Sequence, residues 1–142
     1  MNRGAGDDGQ VVRASGAGRQ PYQIFRSEAV PWVTPEGHTN SYSKLLVSPE
    51  RQDTKLFDFR ISSYPVSGYA DAHVHDEAEQ IYYFLEGTGL VELDGLEHIV
   101  EPHTTMWVAP GVRHSVANTG FTNLVFIVVT SPPEGISRPI EE

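Results

Sequence analysis

Two stretches of sequence decide the fold: GYADAHVHDEAEQIYYFLEG at residues 68–87 and VAPGVRHSVAN at residues 108–118. His73 and His75 are two residues apart in the first stretch, the spacing at which side chains share one face of a strand. Their Cα atoms are then about 6–7 Å apart, and both imidazoles can reach one metal ion at about 2.1 Å. The pair therefore predicts half of a mononuclear metal site.

Two further side chains complete the predicted metal site. Gln80 opens an apolar run, and counting by two places Tyr82 and Phe84 on its face of the strand. His114 follows a proline-glycine turn much later in the chain, and a rolled-up sheet can bring such a distant residue to the same place. We predict four metal ligands, which are His73, His75, Gln80 and His114.

Short apolar runs recur through the rest of the chain. In residues 57–62, FDFRIS, apolar and polar side chains alternate, which is typical of a half-buried strand. Asp58 and Arg60 are on its polar side, where we expect an exposed ion pair or, for Arg60, a substrate contact. Asp94-Gly95 between two apolar runs predicts a two-residue hairpin turn. Short strands with almost no helical periodicity predict an all-β sandwich or barrel.

The two stretches carry motifs that resemble those of the cupin superfamily. The first cupin motif has a glycine, the H-x-H pair, a glutamate and a second glycine; the second has a proline-glycine turn, a histidine and an asparagine. The resemblance spans about residues 56–131 and implies an antiparallel jelly roll. The matching residues are Gly68, His73, His75, Gln80 and Gly87 in the first motif, and Pro110, Gly111, His114 and Asn118 in the second.

Three positions depart from the cupin motifs. Gly68 lies one residue closer to the histidines than usual, and His103 stands where the second motif has glycine. Gln80 occupies the glutamate position; Glu79 is its rival, but the six-residue spacing before Gly87 selects the glutamine. A glutamine oxygen cancels no metal charge, so three histidines and one glutamine leave a dication with its full charge and a stronger Lewis acidity.

Composition limits the partners of the protein. Its 142 residues are enough for one domain with a real core. The formal charge of −9 argues against nucleic acid or an anionic membrane as the main partner. No apolar run approaches the roughly 20 residues of a transmembrane helix, and the N-terminus lacks the apolar core of a secretory signal. The absence of cysteine excludes thiolate ligands and is compatible with the reducing cytoplasm, where we expect the protein.

We divide the chain into four segments. Residues 1–20 hold five of the thirteen glycines and almost no large apolar side chains, so we expect disorder there. Residues 21–50 form an N-terminal arm and first strand, and because the arm is rich in apolar side chains we expect it in a homodimer interface. Residues 51–131 form the barrel, and residues 132–142 form a polar, proline-rich tail that we expect to be loose.

The resemblance also implies a function. A small single-domain cupin with an arm before the barrel looks like the cyclases of aromatic polyketide pathways. Such a cyclase would use one divalent ion, with zinc first and iron, nickel or manganese as alternatives, to polarise a poly-β-ketone and stabilise an enolate for ring closure. Tyr82 or a metal-bound hydroxide is then expected to move the proton. Arg60, Phe84 and Trp107 are expected to contact the small-molecule substrate.

Other functions remain open at this point. Three histidines also suit Fe(II), Ni(II) or Mn(II) with an enol or phenolic substrate, which would make the protein a dioxygenase. Small cupins also serve as metabolite-binding modules without turnover. A sugar-acid isomerase or lyase ranks third, because few basic residues are available for an anionic substrate.

Overall fold

The computed structural model describes residues 21–133 and the backbone of residues 137–139. The strands, numbered in chain order, are β1 (His38–Thr39), β2 (Tyr42–Val47), β3 (Asp58–Tyr64), β4 (Tyr69–His75), β5 (Glu79–Glu86), β6 (Gly89–Leu93), β7 (Leu96–Val100), β8 (Thr105–Val108), β9 (His114–Asn118), β10 (Leu124–Ser131) and β11 (Ser137–Pro139). The helical segments are a 3-10 turn, Ser27–Ala29, and α1, Pro49–Gln52. Within these described residues, no helix is long and apolar enough to cross a membrane.

The strands form two antiparallel sheets. The five-stranded sheet has the order β2-β3-β10-β5-β8. The six-stranded sheet has the order β1-β4-β9-β6-β7, and β11 also pairs with β4. Strands distant in sequence are neighbours in both sheets, which is the arrangement of a jelly roll. The predicted fold class, an all-β antiparallel sandwich, is confirmed.

The apolar core fills the space between the two sheets. Phe84, Leu124 and Phe126 of the five-stranded sheet are fully buried, in one cluster with Val91 and Val116 of the other sheet. Burying each of these side chains contributes about 1.5–3 kcal/mol. The core therefore holds the two sheets together. The polar side chains lie at the end of the sandwich that contains the histidines.

The hairpin between β6 and β7 turns as the sequence predicts. Asp94 and Gly95 have positive φ angles of 49° and 86°, and Leu93 pairs with Leu96 across the turn. Positive φ at both central residues defines the type I′ turn, whose twist matches that of the flanking strands. The prediction from the Asp-Gly pair is confirmed.

The strand β3 presents the opposite face to the one expected. Asp58 is only 5% exposed and Arg60 is partly buried, so the predicted ion pair forms, with Arg60 Nη2 3.8 Å from Asp58 Oδ1, but the expectation that it is exposed is wrong. The outer face of this sheet instead carries an apolar row in which Phe59 pairs with Val129, and Val129 with Ile81. The apolar side chains of β3 therefore face outward, where the polar ones were expected. The polar side chains of β3 line an internal cavity.

Both ends of the described chain pack on the barrel. The Lys44 ammonium of β2 lies 4.7 Å from the centroid of the Trp32 ring, so the arm follows the edge of the five-stranded sheet. Within the tail of residues 132–142, expected to be loose, residues 137–139 instead form β11 and pair with β4. Residues 134–136 and 140–142 lie outside the described residues. Residues 1–20, for which we expected disorder, lie outside the described residues.

Candidate metal centre

Three histidines meet where β4 lies beside β9. His73 and His75 are on β4, and His114 opens β9 as the cross-strand partner of His73. The ring centroids of His73 and His114 are 4.2 Å apart. One nitrogen from each ring lies within 4.8 Å of the others, and nitrogens that share an ion at about 2.1 Å can be at most about 4.2 Å apart. A small closure of the cluster is enough to hold one ion.

Backbone carbonyls orient two of the three rings. His73 Nδ1 lies 2.8 Å from the carbonyl oxygen of Asp71, and His114 Nδ1 lies 2.9 Å from that of Val112. A carbonyl oxygen can only accept, so each Nδ1 carries the proton and each Nε2 keeps its lone pair. The Nε2 of His114 is buried with no hydrogen-bond partner among the described residues. A divalent ion would satisfy this nitrogen, so the residues fit a metal.

Burial keeps the imidazoles of His73 and His114 neutral. It lowers the pKa of His114 to about 4, and the neighbouring His73 adds to the effect. Burial also lowers the pKa of His73, more than the hydrogen bond to Asp71 raises it. The rings are therefore unprotonated at neutral pH, which is the form in which histidine binds metals.

Gln80 reaches the same cavity from β5 in the opposite sheet. Its Oε1 accepts a hydrogen bond from the Tyr82 hydroxyl at 3.0 Å, and its Nε2 donates to Thr130 Oγ1 at 3.0 Å. Gln80 lines this cavity together with His73 and His75, and the Tyr82 ring centroid is 6.2 Å from that of His114. Its role as fourth ligand stays a prediction. Glu79, the rival for this role, is exposed on the other face of the strand.

A cavity of about 320 Å³ opens beside the histidines, a size within the range of small-molecule sites. Its wall includes apolar side chains such as Val116 and Phe126. Arg60 is the only lysine or arginine in that wall among the described residues, with Nη2 3.8 Å from Asp58 Oδ1. Burial raises the pKa of the Tyr82 hydroxyl well above its ordinary value, so this hydroxyl stays protonated.

Two of the predicted substrate contacts are not in the wall of this cavity. Phe84 is fully buried in the apolar core, further along the strand from the histidine end. Trp107 is 61% exposed, and its Nε1 donates to Glu79 Oε1 at 2.9 Å. Strand pairing explains the error, because Trp107 lies opposite Ile81 on the outer face of the sheet. Arg60 is the predicted substrate contact that does line the cavity.

Thr130 and His38 also line the cavity, and sequence reasoning assigned neither a role. Thr130 follows Phe126 and Val128 at a period of two along β10, and all three side chains are buried. That alternation was a usable signal for an inward-facing threonine. His38 lies in a two-residue strand, too short for any periodicity, and its ring packs against Tyr64 with the centroids 6.0 Å apart.

Other motif residues shape the backbone around the site. A Cβ on Gly68 would lie 2.1 Å from the carbonyl oxygen of Asn40, so only glycine fits there. His103 has a positive φ of 74°, the conformation that the usual glycine adopts readily. Asn118 Nδ2 donates to the Tyr64 carbonyl oxygen at 2.7 Å and ties β9 to the end of β3. These residues are therefore structural.

The family of the chain follows from comparison with known proteins. The model of the cupin domain matches residues 60–130, half of the chain, and the chain belongs to the cupin family. An oxalate-binding protein of Thermotoga maritima is 30% identical over 84 residues, which cover 59% of this chain and 69% of that protein. An uncharacterised protein of Methanocaldococcus jannaschii is 29% identical over 103 residues, which cover 72% of this chain and 80% of that protein.

Solved structures show the same fold. A predicted oxalate decarboxylase of Thermotoga maritima has a TM-score of 0.67 at 25% identity, over 75% of this chain and 96% of that one. The polyketide cyclase RemF of Streptomyces resistomycificus has a TM-score of 0.73 at 20% identity, over 85% of this chain and 87% of that one. The cupin fold thus carries different activities among these neighbours, and the activity must be argued from the site.

Proposed function

We propose that this cupin is a metal-dependent enzyme that cyclises or dehydrates an aromatic polyketide intermediate. The observation that supports the proposal most strongly is a three-histidine cluster, with His73 and His114 held neutral by burial, beside a cavity whose wall holds two carboxylates, Glu36 and Asp58, and one guanidinium, Arg60. Such a cavity suits an uncharged, oxygen-rich chain better than a small polyanion. The fold that the protein shares with the cyclase RemF is compatible with this activity.

The residues that would hold the ion are the three histidines, with Gln80 as the fourth ligand. Zinc is the first choice, and iron, nickel and manganese suit the same donors. When bound, a dication supplies Lewis acidity toward a carbonyl oxygen and its enolate form. Gln80 is neutral, so it leaves the charge of the ion uncompensated.

The other side chains of the cavity bind and orient the substrate. The Tyr82 hydroxyl is protonated at neutral pH and next to Gln80, so it can donate a proton or a hydrogen bond to a developing oxyanion. Arg60 offers a guanidinium to a second substrate oxygen. Val116 and Phe126 exclude water and hold the chain in a folded, near-attack shape.

A second candidate is a module that binds a small chelating acid without turnover. The relative from Thermotoga maritima is named as an oxalate-binding protein, and Arg60 in the cavity wall gives such an acid one cationic partner. The dioxygenase alternative uses the same histidines and differs in needing oxygen.

One turnover experiment separates these three functions. Protein loaded with zinc, and in parallel with iron(II), nickel or manganese, is mixed with a linear poly-β-ketone thioester, in air and under anaerobic conditions. Products are followed by mass spectrometry, and oxalate binding is measured calorimetrically on the same preparations. The proposal predicts a ring-closed product that has lost water, at the same rate with and without oxygen, and no product from His73→Ala. An oxygen-dependent product would indicate the dioxygenase. Tight binding of oxalate, with no turnover under any metal, would indicate the binding module.

A further inference from the structure

Three buried polar residues form one row across the five-stranded sheet. Thr130 of the central strand β10 is the register partner of Asp58 on β3 and of Gln80 on β5. All three residues are buried, and all three line the cavity. Three polar side chains side by side in a sheet interior are costly unless each satisfies its neighbour. Each of the three side chains is therefore expected to form a hydrogen bond with its neighbour in the row.

The hydrogen bonds along this row have one direction. Asp58 is the cross-strand partner of Thr130 on the cavity side of the sheet, and a carboxylate there can only accept, so the Thr130 hydroxyl turns its proton to Asp58. A hydroxyl has a single proton, so towards Gln80 the Thr130 oxygen can only accept, and Gln80 Nε2 donates to it at 3.0 Å. The Tyr82 hydroxyl then donates to Gln80 Oε1 at 3.0 Å. The orientation of the Gln80 amide is fixed from both sides.

We propose that Asp58 and Thr130 are positioning residues that set the amide of Gln80, so that its oxygen and not its nitrogen is presented to the histidine cluster. The inference rests on the proposed metal centre, which needs an oxygen ligand at this position. Inverting the amide would turn two N–H donors toward the cation and abolish the ligand.

The same row explains why glutamine replaces glutamate at position 80. A glutamate there would face a Thr130 oxygen whose proton is already given to Asp58, and two carboxylates would lie on either side of one hydroxyl. With Asp58→Val, position 58 can no longer accept, so the Thr130 hydroxyl is free to donate its proton to a carboxylate at position 80. Valine at position 58 should therefore suit a glutamate at position 80, and it should harm the native glutamine because the freed proton favours the inverted amide.

Zinc affinity in a double-mutant cycle tests this coupling. The proteins are wild type, Asp58→Val, Gln80→Glu and the double variant, titrated calorimetrically with zinc at about pH 8, where carboxyl groups are ionised. In the protein that retains Gln80, Asp58→Val should weaken zinc binding by about 10- to 100-fold. In the Gln80→Glu background, the same substitution should strengthen it. The absorption of the cobalt(II)-loaded proteins should report the change of oxygen ligand in parallel.

Two further variants separate a hydrogen-bond relay from plain charge. Thr130→Val removes the hydroxyl and nearly keeps the volume, so it should abolish the reversal of sign, whereas Thr130→Ser keeps the hydroxyl and should preserve the reversal. The matched control Glu79→Gln changes one charge on the outer face beside Gln80 and should leave zinc affinity unchanged. Thermal unfolding of the metal-free proteins checks that each variant is folded.

Each outcome decides the inference. A reversal that depends on the Thr130 hydroxyl supports it. An Asp58→Val effect of the same sign in both backgrounds overturns it, and so does a reversal that survives Thr130→Val. In either of those cases, zinc binding by the wild type would still support the proposed metal centre. A wild type that binds no metal overturns the metal centre and this inference together.

Discussion

The buried neutral state of His114 makes the stability of the metal-free protein depend on pH. Burial lowers the pKa of this imidazole from about 6.5 to about 4 in the folded protein. The unfolded chain therefore takes up the proton first as the pH falls below about 6.5, and the folded state loses stability until the pH reaches about 4. Each tenfold difference in proton affinity is about 1.4 kcal/mol, so His114 should account for a loss of about 3 kcal/mol.

Urea unfolding of metal-free protein at about pH 7 and about pH 4 measures this loss. The free energy of unfolding of the wild type should fall by about 3 kcal/mol more than that of His114→Gln, because other titrating groups are common to both proteins. The control variant His98→Gln removes an exposed imidazole of β7 and should behave like the wild type. The same pH dependence in wild type and His114→Gln would refute the claim that His114 is buried as a neutral base.

Three more perturbations address the cavity, the turn before β4 and the arm. Tyr82→Phe should lower turnover by about 100-fold and leave metal content unchanged, since it removes a proton donor and not a ligand; steady-state kinetics and metal analysis check this. Gly68→Ala should lower the free energy of unfolding by about 1–3 kcal/mol, because its Cβ would meet the carbonyl oxygen of Asn40; urea unfolding measures the loss. We also propose a homodimer that uses the arm, so deleting residues 1–34 should halve the mass seen by light scattering, and an unchanged mass would contradict it.

The sequence predicted features that depend on local spacing. The H-x-H pair placed two imidazoles on one strand, and the period of two put Gln80 and Tyr82 on one buried face. The Asp94-Gly95 pair specified the hairpin, since few residue pairs tolerate two positive φ angles. Each of these signals is complete within a few residues of chain.

Features that depend on which face of a sheet is covered could not be predicted in the same way. Along β3, Phe59 and Asp58 are on opposite faces, and the alternation alone does not say which face is internal. The inner face of a sandwich strand is usually apolar. The inner face of β3 is polar instead, because it lines the cavity. Trp107 was misplaced for the same reason: its outward direction follows from its pairing with Ile81, a contact between different strands.

The relay through Thr130 was also beyond local spacing. Asp58, Thr130 and Gln80 are far apart in the chain and become neighbours only through the pairing of β10 with β3 and β5. Thr130 looked like the end of an apolar strand, and the hydrogen bonds that define its role come from other strands. Such a network can be read only once the register of the sheet is known.

Metal content measured by plasma mass spectrometry decides whether the three histidines form a metal centre. We expect about one divalent ion per chain in the wild type, lost in His73→Ala, reduced in Gln80→Ala and unchanged in Glu79→Ala. A wild type that holds no ion, even after reconstitution with zinc, iron(II), nickel and manganese in turn, would rule out the metal centre. The three histidines would then be structural, or would bind an organic ligand directly.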